Sequence, residues 1–189
     1  MKKVKKQKPA KKKRATPTKR AESKKSGNNQ GDASLRKELA YLLKGGNAHV
    51  HFMDAVERFP EAKRGTYAQG LPHTAWQLLE HARIAQLDLL EFSRNSKHVS
   101  PEFPDGYWPK TPAPQSADEW NESLFKFRRD LREMVRLVEN PRINLHAPIP
   151  HGNGQTILRE ALVLADHNAY HLGQLIDLRR ALGSWPEES

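Results

Sequence analysis

The chain has no cysteine, which excludes disulfides, thiolate metal ligands and a cysteine nucleophile, and fits a reducing compartment. No apolar run approaches the roughly 18 residues of a membrane-spanning helix. Met1 to Lys13 is almost unbroken charge, where a secretory signal would place its apolar core. Segments that alternate apolar and polar residues are few, and no repeat with a period of about 20 to 50 residues is visible, so strands and solenoids have little support. A soluble, cytoplasmic protein without membrane insertion is expected.

What is present divides unevenly. The 189 residues allow one domain with its own core and are too few for two ordinary ones. Hydrophobic residues make up 37% of the chain, and the shortage is concentrated in residues 1–31, which cannot bury enough apolar area to offset the entropy of ordering them. Residues 1–27 hold thirteen Lys or Arg against one acid, Glu22, a net of +12; the whole chain carries +10, so residues 28–189 carry about −2. Residues 1–31 are therefore expected to be a disordered basic tail and residues 32–189 the folded domain. Such a tail attracts polyanions by counterion release, with little sequence preference, so non-specific nucleic acid is a candidate partner of residues 1–27. It lacks interleaved aromatics for base stacking and an amphipathic pattern for membrane insertion.

Apolar spacing in the domain is helical. Leu35, Leu39 and Leu42 begin a helix capped by Asp32 or Ser34 and broken at Gly45-Gly46, and a second stretch runs from about Asn47 to Phe59, before Pro60. Pro72 to Ser93 reads as a long helix. The proline-rich SPEFPDGYWPKTPAP that follows admits neither helix nor central strand. Ser116 and Glu119 form a capping-box pattern ahead of a helix with Trp120, Leu124, Phe127, Leu131, Val135 and Val138 on one face. After the loop at 140–154, Gln155 to Leu182 forms the last helix, stopped by Gly183. Trp76, Trp120, Phe125 and Phe127 are expected in the core. An all-α bundle follows.

The strongest chemical signal is ADHNAYHLGQL. Four residues turn a helix by about 400°, so His167 and His171 stand about 40° apart on one face and can chelate one ion, although the spacing also arises incidentally. His81, in WQLLEHARIAQ, shares a stripe with Leu78 and Ala85 on another long helix, and bundle metal sites are assembled from inward-facing side chains in this way. Asn168 stands where the zincin signature requires Glu, so that motif and its base are absent. Gln77, Gln174 and Asp88 are candidates for the same pocket by helical geometry. His49 and His51 flank the first break, and His49 is a candidate extra ligand or base. Tyr107 and Trp108 could cap a pocket mouth or pack over the bundle. His73, His98, His146 and His151 receive no role.

LPHTAWQLLEHARIAQLDLLEF, FPDGYWP and LADHNAYHLGQLIDLRRALGSWP resemble the DinB/YfiT-like superfamily over about residues 33–186. The resemblance implies a four-helix bundle of the DinB/YfiT type. It also implies one divalent ion on a His late in the LLEH helix and on the H-x-x-x-H pair of the last helix, positions matched here by His81, His167 and His171. Three neutral imidazoles suit zinc, nickel, iron or copper, with zinc or nickel first, and leave an open coordination position. The implied reaction classes are S-transfer from a low-molecular-weight thiol and metal-assisted hydrolysis, either on a small-molecule substrate, with Gln174 or His49 as candidate assisting residues and a homodimer as a candidate assembly. The rival expectation is a non-enzymatic accessory protein tethered to nucleic acid by its tail, with a structural or vestigial metal site.

Overall fold

The computed structural model describes residues 20–186, which fall into two units, 20–34 and 35–186. Helix α1 spans Arg20–Lys44, α2 Phe52–Val56, α3 Ala75–Arg94, α4 Ala117–Glu139 and α5 Ile157–Ala181. No strand occurs among the described residues. Helix α1 begins at Arg20, within the span assigned to the tail, and not at the expected Asp32 or Ser34 cap. RAESKKSGNNQG contains no proline to stop a helix, and its Arg, Lys, Ala, Glu and Gln favour one while its two Ser, two Gly and two Asn oppose it. The remainder of that tail, residues 1–19, lies outside the described residues, as does most of the +12 segment expected to meet nucleic acid.

In the second unit the four long helices α1 (through its residues 35–44), α3, α4 and α5 form the expected bundle. Two apolar clusters fill it. One joins Phe52 and Phe59 with Trp76, Trp120, Phe127, Leu172 and Leu175. The other joins Leu39 and Leu43 of α1 with Leu90, Met134, Val138 and Leu164. The helix expected over 47–59 shrinks to Phe52–Val56. Gly45 and Gly46 both take left-handed φ, near +74° and +79°, residues 47–49 bend, and the backbone N–H of extended His51 donates to Asp54 at 3.0 Å and starts the helix. Phe125 is 58% exposed, whereas Trp76, Trp120 and Phe127 are buried. It stands one residue from Leu124 and two from Phe127, which on a helix is the outer face.

Long helices start at side-chain caps. Ser116 Oγ accepts from Glu119 N and Thr156 Oγ1 from Arg159 N. Thr74 Oγ1 accepts from Gln77 N at 3.2 Å while Gln77 Oε1 accepts from Thr74 N at 3.0 Å, and the Thr74 hydroxyl donates to the Pro112 carbonyl at 2.5 Å. One buried residue therefore starts α3 and pins the proline-rich loop to it. Thr74→Ala is expected to lower stability by about 1–2 kcal/mol, and Thr74→Ser to restore most of it, as measured by urea midpoints.

Candidate metal centre

The bundle brings His81 of α3 together with His167 and His171 of α5. One ligand-capable atom from each ring lies within 4.8 Å of the other two, and Nε2 of His167 is 3.1 Å from Nε2 of His81. Two nitrogens bound to one tetrahedral zinc at about 2.0–2.1 Å stand about 3.4 Å apart, so the pair is already at ligand spacing. The cluster contains no carboxylate.

Ring orientation is set by what surrounds each imidazole. A carbonyl can only accept, so the contact of His81 Nδ1 with the Tyr107 carbonyl at 2.9 Å places the proton on Nδ1 and leaves Nε2 with its lone pair. His171 Nδ1 meets Gln174 Oε1 at 2.7 Å, which assigns its ring the same tautomer. Gln174 is thus an orienting group one turn along α5. Burial pushes His167 down to about 4, helped by the neighbouring His171 and His81, and burial likewise pushes His171 down to about 4 against the opposing Gln174 bond. His81 is also lowered, chiefly by burial. All three rings are therefore neutral near pH 7, the state a metal requires.

The proline-rich loop is part of the site. Trp108 stacks on His81 with ring centroids 3.9 Å apart and 5° between the planes. His73, with centroids 4.1 Å away and 21° between planes, covers the other face of the indole. Tyr107, whose carbonyl holds His81, is anchored through its hydroxyl to Asp88 at 2.7 Å, and His98 meets the other Asp88 oxygen at 2.7 Å. Burial, with the Asp88 bond second, pushes the Tyr107 phenol up to about 12. Asp88 therefore fixes the loop instead of facing the centre.

Other candidates go elsewhere. Gln77 is committed to the α3 cap. His49 is exposed, with Nδ1 at 2.9 Å from the Val50 carbonyl, and stands outside the three-His cluster; it lines a separate pocket with Leu42, Phe52 and Asn168. His51 Nδ1 contacts the Lys44 carbonyl. Trp108 and the Tyr107 carbonyl join the centre through the proline-rich loop and His73 from just before the Thr74 cap, so no helical period announces them; FPDGYWP signalled only the first two.

The lowered imidazoles carry a pH prediction. The unfolded rings take up protons near pH 6.5, whereas folded His167 and His171 resist protonation until about pH 4. Their contribution to stability is complete above about 6.5 and is lost as pH falls from there toward 4. The melting temperature of chelator-treated protein should drop across that window, and a His167→Leu variant should show a shallower drop. Equal slopes for both proteins would contradict the assignment.

Residues 48–175 match the family model of the DinB superfamily. No curated protein and no solved structure matches the chain.

Proposed function

The chain belongs to the DinB superfamily, and from that membership and its histidine cluster we propose a metal-dependent enzyme of the thiol S-transferase or hydrolase class. His81, His167 and His171 would hold one divalent ion, zinc or nickel before others. The observation that carries this reading is the approach of three neutral imidazoles from two helices to within 4.8 Å, with two of them turned by their own acceptors to leave Nε2 free. Such an ion, held by three neutral ligands, would keep its full charge and would supply the acidification of a water or a low-molecular-weight thiol near neutral pH.

The protein's own groups supply orientation and shielding. Tyr107 and Gln174 hold two ligand rings, and Trp108 covers one face of His81 and keeps water from it. The substrate side has exposed apolar rings: Tyr170, 64% exposed, packs edge-on to His171, and Phe103, 85% exposed, lies beside Tyr107. They suit a small substrate with an apolar portion.

The test is zinc-loaded protein given a low-molecular-weight thiol with an electrophile, and separately activated esters and amides, with His171→Ala protein as control. Faster thiol consumption or hydrolysis by the wild type alone supports the reading and chooses the class; no difference in either assay would overturn it. A second reading, tethering to nucleic acid, rests on the net +12 of residues 1–27. Salt-sensitive DNA binding lost on deletion of those residues would support it.

A further inference from the structure

Among the described residues, seven buried side-chain atoms lack a hydrogen-bond partner, and four of them are nitrogen donors on three neighbouring residues: Nε and Nη1 of Arg64, Nε1 of Trp76 and Nε1 of Trp120. The three residues touch. The Arg64 guanidinium lies over the Trp120 ring, 4.8 Å from its centroid, and the Trp120 and Trp76 rings stand 6.4 Å apart. The Trp76 backbone N–H donates to the Arg64 carbonyl at 2.9 Å. No carboxylate among the described residues forms an ion pair with Arg64, and burial lowers its pKa. A buried donor without an acceptor is costly, and native proteins keep few of them. Four together mark a place that lacks an acceptor.

Arg64 also lines a cavity of about 390 Å³, whose wall holds Glu61, Thr66, Pro114, Gln115 and Ser116. None of the three clustered histidines lines it. The turn after Glu61–Lys63 and the proline-rich loop build the cavity, and they are pressed together: a Cβ on Gly65 would stand 2.3 Å from that of Ala113. Other polar groups of the wall are engaged within the protein. The Thr66 hydroxyl donates to the Ala62 carbonyl, Ser116 Oγ accepts from Glu119 N, and the Glu119 carboxylate accepts from the Gln115 backbone N–H. Arg64 is the group with donors to spare. Stacking on Trp120 fixes the plane of its guanidinium, while rotation within that plane, unopposed by a bond at Nε or Nη1, carries a free edge to the cavity. That edge matches a carboxylate through two parallel N–H···O bonds. We propose that Arg64 anchors a binding site for a small monocarboxylate, whose oxygens take the unpartnered guanidinium donors and whose apolar body lies against Ala113 and Pro114. Glu61 in the same wall sets the single charge, because it repels a doubly charged phosphate about twice as strongly as a monoanion. The volume suits a ring-sized molecule.

The experiment uses the full chain, nitrogen-labelled and titrated at constant ionic strength with benzoate, acetate, inorganic phosphate and chloride, while NMR follows the Arg64 Nε–H and Trp120 indole N–H signals. Benzoate should shift both signals saturably, with acetate weaker because it lacks the apolar body. Arg64→Met, followed at Trp120, should weaken benzoate by about 10–100-fold, the scale of bonds to a charged group. Arg64→Lys should recover little of that, since an ammonium offers no fork. Should Arg64→Met fail to fold, Ala62→Leu keeps the arginine and narrows the cavity from its exposed side; it should weaken benzoate more than acetate. Shifts that never saturate, or that chloride reproduces, mean screening only and overturn the proposal. Tighter binding of phosphate than of benzoate would overturn the monocarboxylate assignment. Benzoate affinity unchanged in Ala62→Leu and in every folded Arg64 variant would place the binding elsewhere and overturn the site.

Discussion

Protein purified without a nickel column should contain close to one divalent ion per chain, and His81→Ala or His167→Ala should each lose nearly all of it. His81 and His167 already hold Nε2 atoms 3.1 Å apart, so either substitution removes one of three ligands and leaves a weaker two-ligand remnant. The expected loss of affinity exceeds the roughly 10–100-fold typical of outer partners. Both rings are only partly buried, so the variants should fold, which circular dichroism would verify. Elemental analysis decides the matter. Metal-free but folded wild type would remove the centre, and retention of metal by both variants would place it elsewhere.

The second large effect concerns Arg179, which is 2% exposed. Its Nη1 donates to the Asp54 and Ala55 carbonyls at 3.0 and 3.1 Å, Nη2 to Arg58 at 2.8 Å and Nε to Ser184 at 2.8 Å. The first three are terminal carbonyls of α2 and the turn after it, a helix of five residues that could not persist alone. Burial lowers the pKa of Arg179, and the converging carbonyls replace the water it has lost. Arg179→Met should cost about 3 kcal/mol or more, because charge-assisted bonds are lost and several inward-facing carbonyls are stranded. Arg179→Lys should recover less than half, since an ammonium cannot span that fork of acceptors. Urea midpoints at constant slope measure both, and a loss below about 1 kcal/mol for Arg179→Met would refute the account.

α2 shows where reading a sequence stops. Periodicity and glycine positions place a helical stretch there, yet its length is set by the His51–Asp54 start and by an arginine about 125 residues away in the chain. The same division runs through the candidate centre. Helical spacing alone puts His167 and His171 on one face of α5, because a turn of 3.6 residues leaves no other arrangement. His81 rests on a weaker footing, its apolar stripe and the family resemblance, because periodicity assigns a residue to a face without saying which helix that face will meet.

The amino-acid order by itself determined the all-α class, the three long helices after the first glycine break, the Ser116 cap and the His167–His171 pair on one face of α5. Those features depend on neighbours within a few residues, where backbone geometry leaves little choice. Only the tertiary structure decided that Trp108 slides between His73 and His81, that the Tyr107 carbonyl holds His81, and that Gln86 reaches Asn168 from another helix. It also turned Phe125 outward and carried α1 back to Arg20. The reason is physical: a proline-rich loop has no period, and a buried amide declares its partners only when packing brings a carbonyl or a ring to it. Local geometry chose the helix faces and gave His171 its acceptor in Gln174, and long-range packing brought the Tyr107 carbonyl to His81.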